Sequence, residues 1–177
     1  MRRPAQTACL AALLALVATP AVAQRPCVTD ADAQAFASVA MPEIIRQTGR
    51  VCANVLPATA LVRRPGGAFL DKYDAEANRA WPMARSAIVK LSNPAIDLLL
   101  ESDFARPLIT SLLVPQLVGR IAVSDCPVID RLTTLLEPLP ARNTAGVVVA
   151  TLKYLTAEKA KGRPVDVPDL PLCPEGR

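Results

Sequence analysis

Four cysteines, Cys27, Cys52, Cys126 and Cys173, and a complete lack of histidine set the chemistry open to this 177-residue chain. Without imidazole there is no Ser-His-Asp triad, no Cys-His pair and no imidazole metal cage. The four thiols stand 25, 74 and 47 residues apart, whereas zinc ligands arrive in closely spaced C-x-x-C-type pairs. An even number of distant cysteines reads instead as two structural disulfides formed in an oxidising compartment. Neither a metal site nor a cofactor is expected. The fifth cysteine, Cys9, belongs to an N-terminal leader.

Carboxylates are the remaining route to catalysis, because a glycosidase can work with acidic residues alone. The run Glu101-Ser102-Asp103-Phe104 resembles the E-S-x-F start of the lytic transglycosylases, which cleave cell-wall glycan with one glutamate acting as acid and then as base. The resemblance makes Glu101 that acid. The family continues with a Gly-Ala-x-Gly-Leu-Met-Gln run, where this chain has Leu112-Leu113-Val114-Pro115-Gln116 and no glycine. The plainer reading is that Asp97, Glu101 and Asp103 form a solvated helix end, with Ser102 or Asp103 capping the helix that follows.

Two further groups could bind rather than react. Phe69, Tyr73 and Trp81 share one helical face and could line a groove for an apolar ligand, although such a stripe more often forms core. Arg63 and Arg64 precede Gly66-Gly67 and could hold an anion at the start of the next helix. That turn lacks the G-x-x-x-x-G-K phosphate-loop pattern, and a solvated turn is the simpler assignment. Nucleic acid is not an expected partner: the charges are mixed along the chain, and its three Phe, two Tyr and one Trp are scattered.

Residues 1–23 read as a cleaved export signal, with Arg2 and Arg3 ahead of an apolar run from about Cys9 to Val17 and an A-x-A site at Ala21 and Ala23. Pro20 interrupts the run short of the roughly 20 apolar residues that a spanning anchor needs. Cleavage after Ala23 removes two arginines and lowers the formal charge from +4 to +2. Residues 24–177 are then expected to form a single helical domain with an extended tail from about 163. The expected location is the periplasm or the cell exterior, with no transmembrane segment in the mature chain.

Helical periodicity dominates that domain. Thr29-x-x-Asp32 reads as a capping box, followed by Phe36, Val39 and Ala40 at helical spacing. Pro42 predicts a sharp bend, after which Ile44, Ile45, Val51, Cys52, Val55 and Leu56 resume the pattern. The longest stripe runs from Phe69 to Leu91, kinked at Pro82, and Asn93 with Pro94 opens a short helix carrying Ile96, Leu99 and Leu100. Phe104 to Ala122 is the most apolar stretch and is expected to be the central, most buried helix. Ser124 or Asp125 with Pro127 starts a helix that buries Ile129, Leu132 and Leu136. The last helix begins at Asn143, carries Val148, Leu152 and Leu155, and stops at Gly162 and Pro164.

The expected fold is therefore all-α: a compact bundle of about six or seven short, proline-bent helices stapled by two disulfides. Geometry favours Cys27 with Cys52 across a hairpin bent at Pro42, and Cys126 with Cys173 across an antiparallel final helix pair. The first pairing demands the bend, because a straight helix rising about 1.5 Å per residue would hold Cys27 and Cys52 about 30 Å apart. The function expected from these features is non-enzymatic binding of an envelope protein or other envelope component. Glycan cleavage centred on Glu101, or carriage of an apolar small ligand between helices, are the alternatives.

Overall fold

A computed structural model describes residues 26–92, 95–169 and 171–173; the expected leader and the Asn93-Pro94 helix start lie outside them. Among the described residues the chain is all-helical. It comprises α1 (Asp30–Val51), α2 (Ala68–Leu91), α3 (Ile96–Leu100), α4 (Ala105–Val118), α5 (Cys126–Leu136) and α6 (Ala141–Ala160), with 3-10 turns at Leu61–Arg63 and Val123–Asp125.

The start of α1 follows from local chemistry. The Thr29 hydroxyl accepts from the Asp32 N–H at 3.2 Å and the Asp32 carboxylate accepts from the Thr29 N–H at 3.0 Å, closing the capping box. Asp32 also accepts from Lys90 Nζ at 2.9 Å, tying the start of α1 to the end of α2. Burial opposes the Asp32 carboxylate, but the Lys90 and Thr29 hydrogen bonds outweigh it and hold its pKa below the ordinary aspartate value. A depressed carboxylate stabilises the fold above its unfolded pKa, and that contribution disappears as pH falls through the folded one. We expect Asp32→Ala to cost about 1 kcal/mol near neutral pH. Urea unfolding should show the gap to wild type closing in acid as the wild-type carboxylate is protonated.

Pro42 does not break the first helix. Instead α1 runs unbroken for 22 residues with Pro42 buried inside it. A mid-helix proline costs about 3 kcal/mol through a lost N–H bond and a clash with the preceding turn. Packing on both sides of Pro42 offsets that cost: Ala35 and Val39 lie against Ala84, while Met41 and Ile45 lie against Phe69, Leu70, Tyr73 and Ala141. Helices α2, α6 and α4 all pack along α1. Similarly, α2 passes through Pro82 and α4 through Pro115.

The unbroken α1 overturns both favoured disulfide pairings. Cys27 and Cys52 sit at its opposite ends, and the bonds are Cys27–Cys173 and Cys52–Cys126, with Cα–Cα distances of 4.9 and 5.6 Å. Each end of α1 thus carries one staple. At the first, the tail returns so that the Val28 N–H donates to the Pro171 carbonyl and the Cys173 N–H to the Val28 carbonyl. At the second, Cys52 and Cys126 are fully buried against Leu56, Ala60 and Val62, with half-buried Ile129 packed on them. The expected antiparallel pairing of the last two helices gives way to a different arrangement: α6 packs on α1 and α2, and α5 lies against the Leu61–Arg63 turn.

Gly49 and Gly162 hold positions that a side chain would strain. A Cβ on Gly49 would stand 2.1 Å from the Val62 carbonyl oxygen, so α1 and the 3-10 turn meet backbone to backbone there. Gly162, at φ +83°, closes α6: the Arg163 N–H reaches the Glu158 carbonyl and the Gly162 N–H the Lys159 carbonyl, a Schellman motif. Glu158 is itself buried and ion-paired to Lys161 and Arg163, fixing the path of the departing tail.

Candidate functional site

Helix α4 is not the buried centre of the bundle. Of its residues only Ala105, Val114 and Val118 are buried, whereas Leu108, Leu112, Leu113 and Leu117 are exposed. Beside Met41, Ile45, Phe69, Leu70 and Tyr73, the core takes many small side chains, including Ala33, Ala35, Ala77, Ala84, Ala87, Ala141 and Ala145. With those positions filled, the leucines of α4 lie on the outside.

The outcome is an apolar surface that follows the chain through α3, α4 and α5. Leu98, Leu99, Phe104, Leu108, Leu112, Leu113, Leu117, Val123, Val128, Leu132 and Leu135 are all exposed, Phe104 at 80% and Leu112 at 61%. Val128, Leu132 and Leu135 form a continuous helical stripe on α5, where Leu132 had been expected inside. Only Cys126 of α5 is buried, so this helix is held chiefly by its disulfide and its contact with the Leu61–Arg63 turn. Soluble monomers seldom leave so many large apolar side chains of one contiguous segment in water.

The residues singled out in the sequence divide between core and surface. Phe69 and Tyr73 are core: their rings meet edge to face at 5.2 Å, and the Tyr73 hydroxyl lies 3.4 Å from that of Thr144. Lys72 crosses both rings and donates to the Glu137 and Leu139 carbonyls, anchoring the turn between α5 and α6. Burial lowers the Lys72 pKa, with Glu137 acting against that shift. Arg63 donates to the Leu56 carbonyl at 2.6 Å and Arg64 to the Thr59 carbonyl at 3.0 Å. Both arginines therefore brace the loop after α1.

Trp81 is half-buried and separate from the other two aromatics. It lines an open cleft of about 410 Å3 with Pro42, Arg46, Glu101, Asp103 and Arg106. The cleft joins Trp81 and Glu101, which the sequence placed in different roles. Glu101 is exposed and held by Arg85 at 3.0 Å, a guanidinium that also binds Asp97 at 2.7 Å. A glycosidase acid is normally enclosed by apolar groups, and Glu101 lacks that enclosure. A second, wider groove of about 830 Å3 runs along α6, lined by Val149, Ala150, Tyr154, Ala157 and Leu172 beside Asp30 and Lys153. Its far wall is the returning tail, whose position follows from the Cys27–Cys173 bond and from no local pattern.

Among the described residues no group of His, Cys, Asp or Glu is placed to hold a metal ion. No single helix among them is long and apolar enough to cross a membrane. The two disulfides and the lack of such a helix are compatible with an extracellular location. Compared with known proteins, the chain matches no family model, no curated protein and no solved structure.

Proposed function

We propose that this protein is an exported, non-enzymatic binding module that docks a component of the cell envelope through the apolar surface of α3, α4 and α5. The observation that carries this reading is the exposure of the leucines on α4, the most apolar stretch of the chain beyond the leader. Export is supported by the leader pattern of residues 1–23 and by both disulfides, which persist only in an oxidising space. The bonds hold a surface rather than a reactive centre: the four thiols are paired, and the buried aromatics serve the core.

Retention of the purified exported form on its own isolated envelope fraction tests the reading. Wild type should bind, and Leu112→Glu with Leu113→Glu should bind about tenfold less or worse, since each leucine buried at a contact contributes about 1.5–3 kcal/mol. Both side chains are exposed, so circular dichroism and the disulfide content should match wild type. Equal retention of the two proteins would overturn the proposal.

A further inference from the structure

We infer that the component docked by this surface is the lipid bilayer itself, with α4 lying at the boundary between headgroups and acyl chains. The inference rests on the docking reading above and adds the identity of the partner. Four features of the surface favour lipid over protein.

The first is composition. The helices Ala105–Val118 and Val123–Leu136 together have the hydropathy and length of a membrane-spanning segment, but they are bent by 87°. With 14 residues in α4 and 11 in α5, neither reaches the roughly 20 residues needed to cross. Two helices of membrane composition, each too short to span alone and sharply bent from one another, can satisfy their apolar faces by lying in the interface.

The second is the treatment of polar side chains. On α4 the Thr110 hydroxyl donates to the Arg106 carbonyl at 3.0 Å, Ser111 to the Leu108 carbonyl at 2.8 Å, and the Gln116 amide to the Leu112 carbonyl at 3.4 Å. On α5 Thr133 and Thr134 bond the Ile129 and Asp130 carbonyls at 2.6 and 2.9 Å. Each of the four hydroxyls donates within its own helix, so its proton does not demand water when acyl chains replace solvent, while Gln116 directs one amide N–H to its own helix.

Charge is the third. From Phe104 to Ser124 there is no carboxylate and no lysine, only Arg106 near the start of α4 and Arg120 just past its end. Arg106 donates to the neutral Asn78 side chain, and Arg120 holds Asp166 in a surface pair worth at most about 1 kcal/mol. Such a pair can be exchanged for a lipid phosphate. Two guanidinium groups at the ends of an apolar helix match headgroup phosphates flanking an acyl region.

The fourth is side-chain type. Hot spots of protein interfaces favour Trp, Tyr and Arg over Leu and Val. Here Phe104 is the single aromatic among eleven exposed leucine, valine and phenylalanine side chains between Leu98 and Leu135.

Flotation of the oxidised exported form with vesicles of phosphatidylethanolamine and phosphatidylglycerol tests the inference. Wild type should rise with the vesicles, and Leu112→Glu with Leu113→Glu should lower the bound fraction about tenfold. Should that double variant fail to fold, the milder Leu113→Ser should still lower it measurably. Absence of flotation at millimolar lipid would overturn the inference. So would a lipid-free dimer that the leucine substitutions dissolve, which would assign the surface to a second copy of the chain. Leucine-dependent retention on delipidated envelope protein, without flotation, would sink the lipid assignment and leave the docking function standing. Insensitivity of both flotation and envelope retention to the substitutions would sink both.

Discussion

Replacing Cys52 and Cys126 with serine should destabilise the protein by about 4 kcal/mol, the loop-closure contribution of a bond spanning 74 residues. That is a large share of the 5–15 kcal/mol typical of a folded domain. The loss has a definite location. Helix α5 buries only Cys126 and otherwise rests on the Leu61–Arg63 turn, so its amides should lose hydrogen-exchange protection before those of α1 or α2. The equivalent change at Cys27 and Cys173 should instead release the tail and the Val28 bridge, leaving α5 in place. Proteolysis without reduction supplies the prior check, yielding one peptide pair joined through Cys52 and Cys126 and another through Cys27 and Cys173. A peptide joining Cys27 to Cys52 would mean that α1 is not one rod, and the arrangement of the whole bundle would fall with it.

Gly49→Ala should destabilise by about 3 kcal/mol, although alanine is the better helix former by about 1 kcal/mol. The sign is set by contact. The new methyl carbon would lie 2.1 Å from the Val62 carbonyl oxygen and 3.0 Å from its carbon, and a backbone carbonyl cannot swing aside as a flexible side chain can. Either α1 or the 3-10 turn must retreat, disturbing the cluster of Cys52, Leu56, Val62 and Cys126. Gly66→Ala is the matching control, because a Cβ there meets nothing within 4 Å, and it should be close to neutral. Thermal melts of the two variants side by side would decide the matter. A Gly49→Ala protein as stable as wild type would show that the close approach is wrong.

Features legible in the sequence are those that neighbouring residues decide. Thr29 and Asp32 are three positions apart, and the capping box they form needs no partner from another helix. The stop at Gly162 and Pro164 is likewise local, and the helix begins at Ala141, two residues before the expected Asn143 and directly after Pro140. Pro42 misleads for the opposite reason. Its penalty is local and visible, whereas the contacts of Ala35, Val39, Met41 and Ile45 that offset it come from α2 and α6. The apolar run on α4 misleads too, since hydropathy measures what a segment would gain by burial and says nothing of whether a core has room for it. Glu101 and Trp81, twenty residues apart, meet at one cleft because α3 folds back along α2 and α4 crosses α1.

The amino-acid order by itself determined a helical chain with two pairs of thiols and no imidazole, because helix periodicity and side-chain chemistry are properties of residues and their near neighbours. The tertiary structure alone decided which thiols meet, that α1 continues unbroken through Pro42, and that leucines of α4 face outward. All three depend on competition for a limited interior. Small alanine faces share that space with Ile45, Phe69, Leu70 and Tyr73, and the leucines of α4 are left at the surface.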